Sequence, residues 1–146
     1  MDESLHTCQP CSYDCLTCLS SGRCLTCEPS DHRFFNKRTG RCIPIDGFYD
    51  NFTSVSVKCP EGCASCLSST FCADCISDYF LSHENLCVAS CSARYFPDTK
   101  SQRCLGCRFD CYTCDNLTGC TSCSYSIDFR IMEASSLSCE PASGYF

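Results

Sequence analysis

The chain has 146 residues, of which 21 are cysteine, and a formal net charge of −6. Such a cysteine density is typical of a secreted or surface protein that is stabilised by disulfides and not by a large apolar core. Acidic and basic residues are mixed without any run of Lys or Arg, which argues against binding nucleic acid or an anionic membrane surface, and no apolar stretch reaches the length of a membrane span.

The N-terminal segment MDESLHTC is polar and acidic, without the apolar centre of a signal peptide. We therefore expect any signal to lie upstream of Met1. The chain is then a mature form or a fragment of a longer protein, located outside the cell or at its surface.

Five columns of cysteines recur with a period of 48 residues, and each copy reads C-x3-C-x2-C-x5-C-x2-C. The first column consists of Cys11, Cys59 and Cys107. A sixth column, which drifts because the loop before it varies in length, consists of Cys42, Cys87 and Cys139. A period in this range predicts a linear array of like units. We name them repeat 1 (8–58), repeat 2 (59–106) and repeat 3 (107–146, truncated).

The loop before each sixth cysteine begins with aromatic or β-branched residues, passes through polar turn residues and returns to cysteine. This pattern predicts a short β-hairpin closed by a bridge. SVSVK (54–58) alternates like a strand, and no segment has helical periodicity. After each sixth cysteine an aromatic pair follows: Phe48–Tyr49, Tyr95–Phe96 and Tyr145–Phe146. We expect these pairs to pack on the disulfides of the next unit, and the acidic residues to form mainly solvated surface.

Three cysteines, Cys8, Cys91 and Cys104, lie outside the six columns. Cys91 and Cys104 flank the connector between repeats 2 and 3, whereas the matching positions of the preceding connector, 43–58, are Asp46 and Ser56. Their joint presence and joint absence indicate one disulfide. Cys8 shares the column of Cys104, so its partner is expected upstream of residue 1 and Cys8 is expected to be unpaired within the chain.

The CxxC pairs are also a zinc-knuckle spacing, and a multi-zinc protein is the remote alternative. None of the three histidines, His6, His32 and His83, is spaced from a cysteine like a ligand pair. Two N-glycosylation sequons begin at Asn51 and Asn116, which favours an oxidising, secretory route. We therefore expect disulfides, no bound metal and no cofactor, with N-linked glycans on both asparagines.

The spacing resembles the furin-like cysteine-rich repeats of growth-factor-receptor ectodomains and of surface proteins of ciliates and other protists, over residues 8–146. The resemblance implies a small disulfide-rich fold, an elongated tandem array of modules with short β-hairpins and little or no helix. It also implies a pairing that the sequence alone leaves open. The implied pairs are Cys11–Cys18, Cys15–Cys24, Cys27–Cys42, Cys59–Cys66, Cys63–Cys72, Cys75–Cys87, Cys91–Cys104, Cys107–Cys114, Cys111–Cys120 and Cys123–Cys139. The connector 43–58 departs from the family pattern because it lacks its bridge.

No catalytic motif is visible, and paired cysteines leave no thiol nucleophile, so we expect a protein that is not an enzyme. The first hypothesis is a structural or spacer module, a disulfide-stiffened rod of a surface protein or an extracellular filament. The alternative is a ligand-binding ectodomain with a protein ligand. Expected partners are further repeats of the same chain or head-to-tail copies of it. SGYF (143–146) matches DGFY (46–49), so we also expect that Phe146 is not a natural terminus.

Overall fold

The computed structural model describes residues 8–146, and His6 therefore lies outside the described residues. The chain divides into two compact units: the first ends at Ala73, and the second is Asp74–Phe146. The division falls inside repeat 2. The repeat boundaries derived from the sequence period stay a prediction.

The first unit is built from short antiparallel hairpins. Its strands are β1 (Thr17–Ser20), β2 (Arg23–Thr26), β3 (Arg33–Asn36), β4 (Arg41–Pro44), β5 (Phe48–Tyr49), β6 (Val57–Lys58), β7 (Cys63–Ser68) and β8 (Phe71–Cys75), with a 3-10 helix at Pro29–Asp31. They pair as β1–β2, β3–β4, β5–β6 and β7–β8, and β8 runs across the division between the units. Local chemistry explains the β3–β4 turn: the Asn36 side chain accepts the amides of Arg38 and Thr39, and Gly40 takes a φ of 68°.

The second unit adds one mixed sheet and a single helical turn. Its elements are β9 (Phe80–Leu81), β10 (Cys87–Val88), β11 (Tyr95–Asp98), β12 (Arg103–Gly106), α1 (Tyr125–Asp128), β13 (Arg130–Glu133) and β14 (Ser138–Pro141). The sheet order is β10-β9-β12-β11, with β12 parallel to β9, and β13 pairs with β14. Helix α1 begins because the Ser124 hydroxyl accepts the Ile127 amide, and it ends at Phe129, whose φ is 52°.

The buried interior consists mainly of half-cystines. Cys24, Cys42, Cys72, Cys111 and Cys139 are the largest side chains that are fully buried. In the second unit Phe96 packs into a cluster with the cystines of repeat 3. Sulfur therefore occupies the space that aliphatic side chains fill in an ordinary domain, and the fold is a small disulfide-rich one.

The hairpins predicted before each sixth cysteine are confirmed as β3–β4, β9–β10 and β13–β14. Of SVSVK, only Val57–Lys58 is a strand. Hairpins β1–β2 and β7–β8, which contain the third and fourth cysteines of repeats 1 and 2, were not predicted; the cysteines themselves take strand positions. Residues 8–146 contain no helix with the length and apolar character of a membrane span.

Candidate functional site

Ten disulfides tie the described chain, and they join the same ten pairs that the resemblance implies. Every pair has a Cα–Cα distance within the range that native bridges occupy, for example 5.7 Å for Cys11–Cys18 and 5.0 Å for Cys111–Cys120. Within residues 8–146, Cys8 has no disulfide partner, and its side chain is exposed. Bridge formation in the natural protein, and an upstream partner for Cys8, stay predictions.

Asp14 and Asp110 are exceptions to the expectation that the acidic residues lie mainly at the solvated surface, since they are 5% and 3% exposed. The two residues stand 96 positions apart, just before the second cysteine of repeats 1 and 3. Arg41 donates to both oxygens of the Asp14 carboxylate, at 2.7 and 2.8 Å. Arg108 does the same for Asp110, at 3.1 and 3.0 Å. A buried carboxylate is stable in this form because a bidentate guanidinium replaces its water.

The same two carboxylates hold the sixth cysteine of their repeat. The backbone amide of Cys42 donates to Asp14 at 3.3 Å, and that of Cys139 donates to Asp110 at 3.1 Å. Burial by itself raises the pKa of both carboxyls. Hydrogen bonds, chiefly from Arg41 to Asp14 and from the Cys139 amide to Asp110, outweigh burial and bring each pKa below its ordinary value.

Each buried aspartate also lies beside two cysteine sulfurs, those of Cys15 and Cys24 or of Cys111 and Cys120. A carboxylate with two sulfurs could in principle hold a metal ion, but zinc binds thiolates. In both clusters the two sulfurs form one disulfide and have no thiolate to offer. The prediction of a metal-free protein therefore remains the better one, with metal analysis as its test.

The connector 43–58, which lacks a bridge, is held by one buried arginine. Arg33 is 4% exposed. Its guanidinium donates to the carbonyls of Ser54 and Thr53 at 2.8 and 2.9 Å and to the Asp50 carboxylate at 2.9 Å. It also donates to the carbonyl of Cys42 at 3.2 Å and lies over the ring of Tyr13, 5.5 Å from its centroid. We name this arrangement the arginine clamp.

The clamp is charged and internally connected. The Tyr13 hydroxyl donates to Asp50 at 2.9 Å. Burial, and then the hydrogen bond to Asp50, raise the pKa of Tyr13. Burial alone raises the pKa of Asp50, but donors from Arg33, the Phe52 amide and Tyr13 outweigh it and lower that pKa. The connector is therefore fixed by an ionised Asp50 at neutral pH.

The connector between repeats 2 and 3 is held covalently. Cys91–Cys104 closes it, and β11 and β12 form a four-residue ladder from Tyr95 opposite Gly106 to Asp98 opposite Arg103. Ser56 occupies the position of Cys104 in the unbridged connector; it is 4% exposed, and its hydroxyl has no hydrogen-bond partner among the described residues. Asp46, at the position of Cys91, is exposed.

Both connectors nevertheless end in the same junction with the following repeat. The amide of Gly47 donates to Ala64, and the amide of Cys59 donates back to Gly47. In the second connector the Arg94 amide donates to Tyr112, and the Cys107 amide donates to Arg94. Gly47 and Arg94 both have a positive φ, 81° and 70°.

The aromatic pairs divide their contacts. The first ring stacks on the preceding hairpin: Phe48 on His32 at 4.2 Å, Tyr95 on His83 at 4.8 Å, and Tyr145 on Phe129 at 4.4 Å. The expectation that each pair packs on the next unit's disulfides therefore describes the second ring of the middle pair, Phe96, and not these first rings. His32 and His83 are occupied by ring stacking.

Both sequons are exposed in turns. Thr53 donates its hydroxyl to the Asn51 side-chain oxygen at 2.7 Å, and Thr118 does the same to Asn116 at 2.6 Å. Phe52, between Asn51 and Thr53, takes a φ of 65°. The side-chain nitrogens that would carry glycans thus belong to exposed residues, Asn51 and Asn116.

Sequence reasoning missed the arginine clamp and the buried aspartates. A signal for them exists, since an aromatic–aspartate pair precedes the second cysteine as Tyr13–Asp14 and Phe109–Asp110. An arginine also stands nine residues before the sixth cysteine as Arg33 and Arg130. Both signals are absent from repeat 2, so neither recurs in all three repeats as the cysteines do.

No family model matches the chain. Similar curated proteins include Furin-like protease 2 of Drosophila melanogaster, 32% identical over 125 residues, which are 80% of this chain. R-spondin-3 of Danio rerio is 32% identical over 106 residues, or 66% of this chain. Cysteine repeat modular protein 2 of Tetrahymena thermophila is 32% identical over 124 residues, or 84% of this chain. The chain spans 7%, 33% and 5% of the lengths of these relatives.

The matched segments of these relatives are extracellular cysteine-rich regions and not catalytic domains. The cysteine spacing, the ten bridges and the short hairpins of this chain agree with that similarity. The chain is an extracellular cysteine-rich module, and its repeats belong to the furin-like cysteine-rich family.

Proposed function

We propose that the chain is a structural spacer: a non-enzymatic, disulfide-stiffened segment that sets the distance and direction between neighbouring parts of a surface protein or an extracellular filament. Its partners are further repeats of the same chain or head-to-tail copies of it. In this role, the interior of each repeat supplies stiffness and the connectors transmit it to the next repeat.

The observation that carries the proposal is the repeated junction. The two connectors differ in sequence and in how they are tied, yet each makes the same pair of backbone hydrogen bonds to the repeat that follows. A chain whose repeats were only tethered would have no need to reproduce this geometry. Reproduction of one junction by two different means is what a spacer of defined direction requires.

Small-angle scattering tests the proposal. A compact globule of this length would have a radius of gyration of about 15 Å. We expect a clearly larger radius and a distance distribution with an extended tail. A compact value would mean that the repeats fold back on each other, and the spacer function would then be wrong.

The absence of catalysis is part of the proposal. The cysteines of residues 9–146 are held in bridges, and His32 and His83 stack on aromatic rings. The side chains that carry enzymatic chemistry in other proteins are here used for packing. A hydrolase or oxidoreductase activity that co-purifies with the chain and is lost on a point substitution in it would contradict this part.

We include N-linked glycans at Asn51 and Asn116 in the proposal, since both residues are exposed and lie outside the bridged interior. Glycans there would shield the unbridged connector and the short loop of repeat 3. Peptide mapping of material from a glycosylating host should find both asparagines modified. Bare asparagines at both positions would argue against this route.

A ligand-binding ectodomain remains the second candidate. Exposed apolar side chains would favour it if they were confined to one repeat. They occur in all three, for example Leu19, Leu67 and Ile131. The exposed apolar surface therefore singles out no repeat as a binding site, and we rank the spacer function first.

A further inference from the structure

Repeat 3 contains a second arginine at the position of the clamp. Arg130 begins β13 as Arg33 begins β3, each nine residues before the sixth cysteine of its repeat. Each donates from Nη1 to the carbonyl of that cysteine: Arg33 to Cys42 at 3.2 Å and Arg130 to Cys139 at 2.8 Å. The two guanidinium groups therefore share one hydrogen bond, the one to the carbonyl of the sixth cysteine.

The aromatic floor of the clamp is also present in repeat 3. Arg33 lies 5.5 Å from the ring centroid of Tyr13, and Arg130 lies 5.6 Å from that of Phe109, at the matching position. The Phe109 side chain is exposed. A planar cation above an aromatic face is held in place at small cost in conformational freedom, so Arg130 is oriented before any partner arrives.

The backbone around the two arginines matches as well. His32 and Phe129 precede them with φ values of 56° and 52°. Their carbonyls accept the amides of Ile45 and Ala142, at 3.0 and 2.8 Å. Rings then stack on both residues, Phe48 on His32 and Tyr145 on Phe129.

The two sites differ in what fills them. Arg33 uses its remaining donors on Asp50 and on the carbonyls of Thr53 and Ser54. Within residues 8–146, Arg130 has no acceptor besides the Cys139 carbonyl, and its side chain is only partly buried. Four of its five N–H donors are thus available in a fixed fork.

We propose that Arg130 and Phe109 form a docking site for an acidic peptide turn, one that offers an aspartate carboxylate and two backbone carbonyls three and four residues further on. The occupied clamp of repeat 1 defines this chemistry, because residues 50–54 of the same chain fill it there. The inference rests on the proposed spacer function, in which such connector segments join repeats, but its test does not depend on the shape of the molecule.

The test uses a synthetic peptide with the sequence of residues 48–56, FYDNFTSVS, added to the intact oxidised chain and followed by NMR shifts of the Arg130 side chain and the Cys139 amide. We expect saturable binding with a Kd of roughly 0.1–1 mM, as befits a small charged contact. Arg130→Gln should weaken binding at least about tenfold, and so should the peptide in which asparagine replaces the aspartate. Arg38→Gln, an exposed arginine elsewhere, is the matched control and should leave binding unchanged.

Three results would overturn the proposal. The first is no saturable shift up to about 2 mM peptide. The second is equal binding to the Arg130→Gln chain. The third is Arg130-dependent dimerisation of the chain alone in sedimentation, since a second copy would then be the occupant. Failure of the spacer function itself would instead appear as a compact radius of gyration with peptide binding intact.

Discussion

The two connectors form the same junction with different chemistry. In the first, a buried arginine gathers one carboxylate and three carbonyls around an aromatic ring. In the second, the Cys91–Cys104 disulfide and the four-residue β11–β12 ladder hold the connector. The backbone hydrogen bonds of Gly47 and Arg94 to the following repeat are alike.

The comparison indicates that a connector of this fold can do without its disulfide when a buried arginine in its place has acceptors for its hydrogen bonds. A disulfide needs two cysteines at the right separation. The arginine clamp needs an aromatic ring from before the second cysteine, an arginine from the hairpin and an aspartate from the connector. The disulfide is insensitive to pH and is broken by reduction. The arginine clamp is sensitive to pH and is unaffected by reduction.

Loss of the covalent tie should have the largest effect. Cys91→Ser with Cys104→Ser removes a bridge between residues 13 apart in sequence. The entropy model of disulfides gives a loss of about 3 kcal/mol in the free energy of unfolding. Thermal unfolding of the oxidised double variant measures it. An unchanged midpoint would mean that the β11–β12 ladder alone holds the second connector.

Breaking the arginine clamp should cost nearly as much. Arg33→Gln removes the guanidinium that donates to the Asp50 carboxylate and to three carbonyls, and we expect a loss of about 2–3 kcal/mol in the free energy of unfolding. Faster amide exchange should be confined to residues 43–58. Arg38→Gln, at an exposed position of the same hairpin turn, is the control and should change neither quantity. Equal effects of the two variants would show that Arg33 is not the tie.

A transplanted bridge should replace the clamp. Asp46→Cys with Ser56→Cys places cysteines where the second connector has Cys91 and Cys104. It also removes a buried hydroxyl that has no described partner. We expect a gain of about 2 kcal/mol under oxidising conditions, and rescue of Arg33→Gln in the triple variant. If the new cysteines do not pair, or pair without rescue, the two connectors are not equivalent in geometry.

A smaller effect is expected from acid. The folded-state pKa of Asp50 is lowered, so its contribution to stability is present above the unfolded value of about 4 and is lost as the pH falls through the folded value. Amide protection in the first connector should therefore fall in that acidic range. Protection of the Cys107 amide, which donates to Arg94 of the second connector, should stay unchanged. Asp50→Asn should remove the pH dependence. Parallel loss in both connectors would point to general acid unfolding instead.

Much of the fold follows from the cysteines, because their spacing fixes which segments can meet. The hairpins before each sixth cysteine were predictable from turn residues such as those between Phe35 and Cys42. The burial of Asp14, Asp110 and Arg33 was not, since polar side chains are expected at the surface unless their partners are known. Several of those partners, such as Asp50 for Arg33 and Cys139 for Asp110, come from segments 17 to 29 residues away. The arginine–aspartate pairs also skip repeat 2, so no period reveals them.

Disulfide mapping of the unreduced protein by proteolysis and mass spectrometry tests the central claim most directly. The account predicts ten bridges, a mass gain of about 2 Da per bridge on reduction, and Cys91 linked to Cys104. Peptides covering 43–58 should carry no crosslink beyond the Cys27–Cys42 bridge at their edge. Free thiols with bound zinc, or a pairing in which Cys91 or Cys104 bonds to another cysteine, would contradict the account.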